Sequence, residues 1–277
     1  TRTFMSVNPQ ALAPFSCTYS SQVPELLQKL NCSLAISTYQ AGKLVFISAL
    51  DENKIVQLPR TFDKPMGIAH DHDNDKLALA CKDEVIKKAK EMGGDFDLVI
   101  YSLASPRRTD PTSGENYRAC LKPVGMIYKN KTLNTDRKEV KDVTIDPAND
   151  DELFQTERVM GGDDWKLWTD RLLEEGLLAK GCVNLAYSYV GPEVTWPIYR
   201  NGTIGRAKAH LEETALSLNQ QMLSSCEGSA YVSVNKAVVT QASSAIPVVP
   251  LYVSILFKVM REQGTHEGCI EQTNRLF

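Results

Sequence analysis

The pattern that most constrains the fold is an alternation of short apolar segments with helix-prone segments in the last two thirds of the chain. The apolar segments, which are typical of strands buried in a parallel sheet, are residues 97–102, 185–189 and 230–234. The helix-prone segments are residues 87–92, 151–160, 165–178, 203–223 and 248–262. Strands that alternate with helices predict an α/β fold with a parallel sheet, which we assign to residues 87–277.

The first third of the chain follows a different pattern. After a predicted short helix at residues 24–30, β-like runs succeed one another with tight polar turns between them. The runs are residues 33–39, 43–50, 54–58, 66–70 and 76–81. This pattern predicts an antiparallel β meander in residues 1–86, with a junction near Ile86.

Charge and cysteine content exclude several classes of protein. The net charge is −3 and no segment concentrates Lys and Arg, so we expect no nucleic-acid partner. Seven scattered cysteines and the lack of a secretory leader favour reduced thiols and a cytoplasmic location. The most apolar stretch, residues 242–257, contains Pro247 and Pro250 and is shorter than the about 20 residues that a spanning helix needs. We therefore expect no membrane insertion.

A metal site is not expected. Residues 70–75 are rich in His and Asp, but Lys76 and Lys82 occupy the positions where a calcium-binding EF-hand loop requires Gly and Glu. The segment is more typical of a polar hairpin turn.

Residues 185–208 place tyrosines and a lysine near one another in sequence. Thr203 is predicted to cap the helix that follows, which puts Lys208 in its second turn, facing back towards Tyr199. A free Tyr phenol has a pKa of about 10, and a nearby ammonium lowers it by stabilising the phenolate. Tyr199 and Lys208 therefore suit protonation of an enolate oxygen. In an arbitrary chain, such a pair is more often a half-buried aromatic ring beside a solvated charge.

Longer stretches around this pair carry a family resemblance. The run Tyr-Ser-Tyr-Val-Gly-Pro-Glu-Val-Thr-Trp-Pro-Ile-Tyr at 187–199 and the Tyr199-x8-Lys208 spacing closely resemble the single-chain bacterial trans-2-enoyl-CoA reductases. These enzymes are also described as type V enoyl-acyl-carrier-protein reductases. Further stretches that agree are residues 97–109, 159–165, 230–247 and 266–272. The resemblance extends from about Lys87 to Phe277.

This resemblance implies an incomplete Rossmann-like parallel sheet that catalyses NADH-dependent reduction of a trans-2-enoyl thioester in fatty acid synthesis. The substrate would be carried by CoA or by acyl-carrier protein, and the chain would act as a monomer. The resemblance makes Tyr199 the proton donor, Tyr189 a contact to the thioester, and Lys208 the residue that contacts the cofactor and tunes the phenol. The cofactor-binding residues that it implies are Leu103, Ala104, Lys208, Val238, Val239 and Thr240.

Two parts of the family pattern are expected to be absent. The Gly-rich turn of a first βαβ unit does not occur before Gly93, and family members continue beyond the position of Phe277. Residues 1–86 instead resemble the opening of an uncharacterised, propeller-like bacterial family. The stretches that carry this second resemblance are residues 33–44, 60–67 and 76–86. Two alternatives to an active reductase therefore remain. The chain is an inert fused or truncated relic of that reductase, or it is a propeller-type binding segment joined to an inert reductase-like part.

Overall fold

The structure is a computed structural model. It describes residues 19, 21–29, 33–38, 43–61, 83, 85–87, 89–91, 93–102, 106–135, 137–236, 246–268, 271–272 and 275. The strands are β1 (Ser33–Thr38), β2 (Lys43–Ala49), β3 (Ile55–Thr61), β4 (Phe96–Tyr101), β5 (Arg107–Thr109), β6 (Asn116–Arg118), β7 (Tyr128–Asn134), β8 (Glu139–Ile145), β9 (Leu178–Ser188) and β10 (Ser229–Val234). The helices are α1 (Val23–Lys29), α2 (Asp150–Met160), α3 (Asp163–Glu174), α4 (Thr203–Cys226) and α5 (Val249–Glu262), with a 3₁₀ turn at Glu193–Thr195.

Strands β4, β9 and β10 form a parallel sheet with β9 in the centre. At the carboxyl ends the strands are aligned, because Tyr101 pairs with Ala186 and Val234 pairs with Ser188. At the amino ends they are ragged, since β4 meets β9 at Leu178 whereas β10 meets it only at Val183. The predicted α/β class is confirmed.

Strand β9 differs from the prediction in its length. It begins at Leu178 rather than at residue 185, and the helix predicted for 165–178 ends at Glu174. Gly176 has φ of 64°, a left-handed conformation that ends helices readily. Gly181 has φ of 82° and lies where the register between β4 and β9 shifts. This irregularity breaks the apolar alternation, which explains why the sequence pattern showed only the second half of the strand.

The main core lies between one face of this sheet and helices α3 and α4. Alternate strand residues, including Cys182 and Ala186, point into it and meet helix residues such as Leu218. The polar side chain of Asn184 is fully buried there. Its amide accepts a hydrogen bond from the indole of Trp165 (2.8 Å) and donates one to the Thr169 hydroxyl (2.9 Å). The amide is thus satisfied on both sides, as a buried polar group must be to avoid a large penalty.

The N-terminal part forms the predicted antiparallel meander, with strand order β1-β2-β3. Helix α1 covers it through Leu27, which packs against Val45 and Ile47. The predicted strands at residues 66–70 and 76–81 lie outside the described residues.

Two hairpins, β5–β6 and β7–β8, occupy the polar stretch between the sheet strands β4 and β9. Helix α2 follows and begins with a capping box, in which the Asn149 side chain accepts from the Glu152 amide and the Glu152 carboxylate accepts from the Asn149 amide. Within the described part of the chain, no helix is both long and apolar enough to cross a membrane.

Candidate functional site

The candidate site begins where β9 leaves the sheet. Ser188 is the last residue of this central strand, and its carbonyl oxygen accepts a hydrogen bond from the Asn235 amide (2.9 Å) just past the end of β10. Tyr189 follows at once, so its side chain starts from the carboxyl edge of the parallel sheet. This is the edge at which open α/β sheets bind their ligands.

A short helical turn after Tyr189 positions Tyr199. The Thr195 hydroxyl donates to the Pro192 carbonyl (2.8 Å), and the Thr195 carbonyl accepts from the Tyr199 amide (2.9 Å). Gly191 is needed for this turn, because a Cβ there would lie 2.3 Å from the Thr195 hydroxyl oxygen. The turn therefore depends on local side-chain hydrogen bonds that hold the backbone of Tyr199 in place.

A second apolar cluster fixes the same segment from the other side. Ile198 is fully buried against Tyr128 and Val248, which belong to the β7–β8 hairpin and the start of α5. Val248 has φ of 71°, an unfavourable conformation for a β-branched residue. Its amide donates to the Thr132 hydroxyl (3.1 Å), which helps to hold it there.

Helix α4 starts immediately after this segment and carries Lys208 in its second turn, as predicted. The predicted cap is wrong, however, because Gly202 is the N-cap residue and Thr203 is already helical. The Thr203 hydroxyl instead donates to the Cys120 carbonyl (2.6 Å) and accepts from the Lys122 amide (3.2 Å). These two hydrogen bonds therefore connect the start of α4 to the irregular segment 119–122.

The structure brings together the three central residues of the predicted site. The rings of Tyr189 and Tyr199 meet edge to face, with centroids 5.4 Å apart and planes at 77°. The Lys208 ammonium lies 5.6 Å from the Tyr199 ring centroid. Its hydrogen bond goes to the Ser188 hydroxyl, at 2.7 Å, rather than to a phenol oxygen.

Burial dominates the electrostatics of this cluster. It raises the pKa of Tyr199 well above its ordinary value, with Tyr189 as a secondary cause, and it raises the pKa of Tyr189 to about 12. Burial also lowers the pKa of Lys208 to about 8, an effect that Glu212 partly opposes. The expected lowering of the Tyr199 pKa by Lys208 is wrong, because loss of solvation by the buried phenol outweighs the nearby ammonium.

These pKa shifts define what the cluster can do near pH 7. Both phenols stay protonated and can donate hydrogen bonds or a proton, and Lys208 still carries its charge below pH 8. A group that accepts negative charge would therefore find two hydroxyl donors and an ammonium in a space with little water.

Two residues of the site were missed by reasoning from the sequence. Ser188 contacts Lys208, and Tyr252 of α5 faces Tyr189 closely enough to raise its pKa. The position of Ser188 directly before Tyr189 was the available signal, since residues at the carboxyl edge of a parallel strand tend to meet ligands. Tyr252 gave no such signal, because its approach depends on how α5 packs.

The remaining predicted cofactor residues, Leu103, Ala104, Val238, Val239 and Thr240, lie outside the described residues. The pairing of Tyr101 with Ala186 and of Val234 with Ser188 shows that the chain leaves β4 and β10 at the same edge as Tyr189. The Lys208 ammonium, bonded to Ser188 at this edge, is a cation of the kind that suits a ligand carrying phosphate groups.

Among the described residues, no group of three or more His, Cys, Asp or Glu side chains could hold a metal ion. The His- and Asp-rich stretch 70–75 lies outside them.

A parallel sheet with two phenols and an ammonium at its carboxyl edge defines an α/β protein with a candidate ligand site at that edge. Comparison with known proteins gives the family. Residues 59–277 match the family model described as the trans-2-enoyl-CoA reductase catalytic region, and the chain belongs to this family.

Individual relatives agree with this assignment. The chain is 57% identical over 205 residues to a trans-2-enoyl-CoA reductase (NADH) of Clostridium perfringens, covering 74% of this chain and 52% of the relative. It is 54% identical over 208 residues to an enoyl-acyl-carrier-protein reductase (NADH) of Pseudoalteromonas atlantica, covering 74% and 52%. The crystal structure of Treponema denticola trans-2-enoyl-CoA reductase in complex with NAD aligns with a TM-score of 0.67 at 53% identity, covering 72% and 49%. The chain thus spans about half the length of the curated relatives it matches.

The N-terminal part has a separate match. Residues 21–95 match a family model described as a domain of unknown function, DUF4915. This agrees with the predicted resemblance of the first third to an uncharacterised family. The two family matches overlap at residues 59–95, on either side of the predicted junction near Ile86.

Proposed function

We propose that this protein reduces trans-2-enoyl thioesters of CoA or acyl-carrier protein to saturated acyl thioesters with NADH, in fatty acid synthesis. The observation that carries the proposal is the meeting of Tyr189, Tyr199 and Lys208 at the carboxyl edge of the parallel sheet. The relatives support it, because their names specify NADH together with enoyl-CoA or enoyl-acyl-carrier-protein reduction. NAD in the Treponema denticola crystal structure supports the choice of cofactor.

In this proposal NADH supplies the hydride that adds to the β-carbon of the enoyl thioester. Tyr189 donates a hydrogen bond from its hydroxyl to the thioester carbonyl oxygen. Tyr199 keeps its proton until the carbonyl oxygen gains negative charge, because burial raises the pKa of the phenol, and then delivers that proton. The resulting enol becomes the saturated thioester when a solvent proton adds to the α-carbon and the enol proton returns to the Tyr199 phenolate. Transfer becomes favourable only when the developing enolate is more basic than the phenol, which couples protonation to hydride addition.

Lys208 contributes positive charge to the cofactor side of the site. Its ammonium would bind cofactor oxygen atoms together with loop residues that follow β4 and β10. The loop residues we assign to cofactor binding are Leu103, Ala104, Val238, Val239 and Thr240. A charged lysine in a site with little water also stabilises negative charge on a substrate oxygen.

We further propose a monomer in the cytoplasm, built from a meander unit in residues 1–86 and a reductase unit in residues 87–277. The free thiols of Cys120, Cys182 and Cys226 support a reducing compartment. The separate family match of residues 21–95 supports the division into two units.

The variant Y199F tests the catalytic assignment. Removing the phenol oxygen should lower kcat for NADH oxidation with crotonyl-CoA by at least about a hundredfold, the usual effect of losing a positioned proton donor. NADH binding should persist, because the ring that packs on Tyr189 is retained. The measurements are NADH absorbance under turnover conditions and calorimetric titration with NADH.

The control is Y231F, at an exposed tyrosine of the neighbouring strand β10 (54% exposed). Its kcat should equal that of the wild type. If the wild-type protein bound no NADH, the result would favour the alternative of an inert relic. Equal turnover by Y199F and the wild type would remove Tyr199 from the mechanism.

A further inference from the structure

Lys208 is held by a residue that has no assigned role. Its ammonium donates to the Ser188 hydroxyl at 2.7 Å and also lies over the ring of Tyr199. These contacts come from two separate elements, the end of β9 and the segment that precedes α4. The lysine side chain therefore spans the gap between the sheet and the Tyr199 segment.

Ser188 is well suited to act as a fixed anchor. It ends the central strand of the sheet, where it pairs with Val234. Its carbonyl oxygen is bound by the Asn235 amide, so the backbone is held on the β10 side. Lysine, by contrast, has a long flexible stem whose rotamer freedom must be lost before its ammonium can act at one place. A rigid hydroxyl acceptor restricts that freedom before any ligand arrives.

We propose that Ser188 is a positioning residue that holds the Lys208 ammonium between the end of β9 and the Tyr199 ring, ready for the cofactor and substrate. The catalytic part of this inference rests on the proposed reductase function. The positional part concerns the folded chain alone.

The charges around Lys208 predict what losing Ser188 would do. In the described part of the chain, Glu212 on the same helix raises the pKa of Lys208, and the Tyr199 ring faces the ammonium. Tyr189 packs on the Tyr199 ring, and Tyr252 acts in turn on Tyr189. Burial disfavours the ammonium, and the Ser188 hydroxyl is its hydrogen-bond acceptor. Removing that acceptor makes the charged form less stable and lowers the pKa of Lys208 further.

The first test measures Lys208 directly, in the full chain. Protein labelled with ¹³C at the lysine ε-carbon is titrated by NMR, and the Lys208 signal is assigned by its loss in K208R. In S188A the titration midpoint of Lys208 should fall by about one pH unit relative to the wild type, because a hydrogen bond to a charged group is lost. S188T keeps a hydroxyl and should restore the wild-type midpoint.

The matched control is S233A. Ser233 lies on the neighbouring strand β10, where its hydroxyl donates to the Asn235 side chain (3.0 Å) rather than meeting the lysine. Its removal should leave the Lys208 midpoint unchanged. An S188A midpoint equal to that of the wild type would overturn the proposal, and so would an equal shift in S233A.

Kinetics then test the catalytic part. S188A should lower kcat for NADH-dependent reduction of crotonyl-CoA by about tenfold, while KM for crotonyl-CoA stays within about twofold, because the lysine is displaced but the phenols remain. S188T should recover most of the rate. A wild type without turnover would count against the proposed reductase, while the NMR titration would still decide whether Ser188 positions Lys208. A shifted midpoint with unchanged kcat would refute the catalytic part alone.

Discussion

Lys208 illustrates how a side chain of a candidate site can oppose folding. Its pKa is about 8 in the folded chain against an ordinary value of 10.5, so folding disfavours its charged form. At pH 7 both the folded and the unfolded chain hold the proton, and the unfavourable burial of charge is then fully expressed. As the pH rises from about 8 to about 10.5, the folded chain releases the proton first and this penalty disappears.

The variant K208M should therefore be more stable than the wild type at neutral pH. We expect the free energy of unfolding to rise by about 2 kcal/mol at pH 7, since Met keeps the length of the stem without a buried charge. The gain should shrink as the pH approaches 10.5. Denaturant unfolding at several pH values measures this, and NADH-dependent turnover should be lost.

The control for this prediction is K180M. Lys180 lies on the same strand as Ser188, but its side chain is 76% exposed and pairs with Glu227. Its replacement should change stability little at any of these pH values. If K208M were less stable than K180M at pH 7, the buried-charge interpretation would be wrong.

For individual residues, the sequence predicted which side chains lie close together but not their hydrogen bonds or their pKa shifts. The spacing and the family resemblance predicted that Tyr199 and Lys208 lie near each other, and in the structure they do. The direction of the Tyr199 pKa shift was mispredicted, because spacing carries no information on burial. The Ser188 contact depends on where β9 ends, which no local pattern specifies.

Among the elements, the junction between the Tyr199 turn and helix α4 leaves no room for an added side chain. Gly205 lies inside α4, and a Cβ there would be 1.8 Å from the Arg200 carbonyl oxygen and 2.8 Å from that of Tyr199. A helical glycine normally weakens a helix, so its presence here reflects close packing of the turn onto the helix.

The variant G205A should reverse the usual effect of such a replacement. Alanine ordinarily stabilises a helix interior by about 1 kcal/mol relative to glycine. Here the added methyl group must displace the Tyr199 turn, and we expect a loss of about 2 kcal/mol with reduced turnover. Thermal unfolding and NADH oxidation measure the two effects.

An exposed helical position gives the comparison. Ser217 lies on the solvent side of α4, and S217A should raise stability by about 0.5 kcal/mol through helix propensity alone. A G205A protein that matched S217A in stability would show that the turn yields without strain.

Element prediction succeeded where one pattern persisted and failed where it was interrupted. The helix predicted at 151–160 runs from Asp150 to Met160, and a capping box marks its start in the structure. The first half of β9 was assigned to a helix or left out, since Gly176 and Gly181 interrupt the apolar pattern that would have revealed it.

At the scale of the whole molecule, two separate apolar clusters bear on the proposed division of the chain. Leu27 packs with Val45 and Ile47 in the meander, whereas Ile86 and Ala89 pack with the helices and strands of the α/β part. The boundary near Ile86 was placed by a change of sequence pattern. The long-range contacts of Ile86 with the α/β core could not be read from that change.

The variant I86A tests which unit this residue stabilises. Ile86 is only 3% exposed, and its truncation should lower the free energy of unfolding of the α/β part by about 2 to 4 kcal/mol. All three tryptophans, at positions 165, 168 and 196, lie in that part, so their fluorescence follows its unfolding alone.

The corresponding change in the meander is L27A, which removes a side chain that is 4% exposed. It should leave the tryptophan transition in place if the two units unfold independently. A shift of that transition by L27A as large as that by I86A would show that the two units unfold together.

The ragged and aligned ends of the central sheet also bear on how this molecule tolerates changes of length. Insertions between Leu178 and Val183, where β9 extends past β10 and its register with β4 already shifts, would lengthen this irregular stretch and leave the pairing from Val183 onward intact. One extra residue in the carboxyl half of β9 would reverse the alternation of its side chains and turn Tyr189 to the other face of the sheet. Length variants are therefore expected at the amino ends of the sheet strands and not at their carboxyl ends.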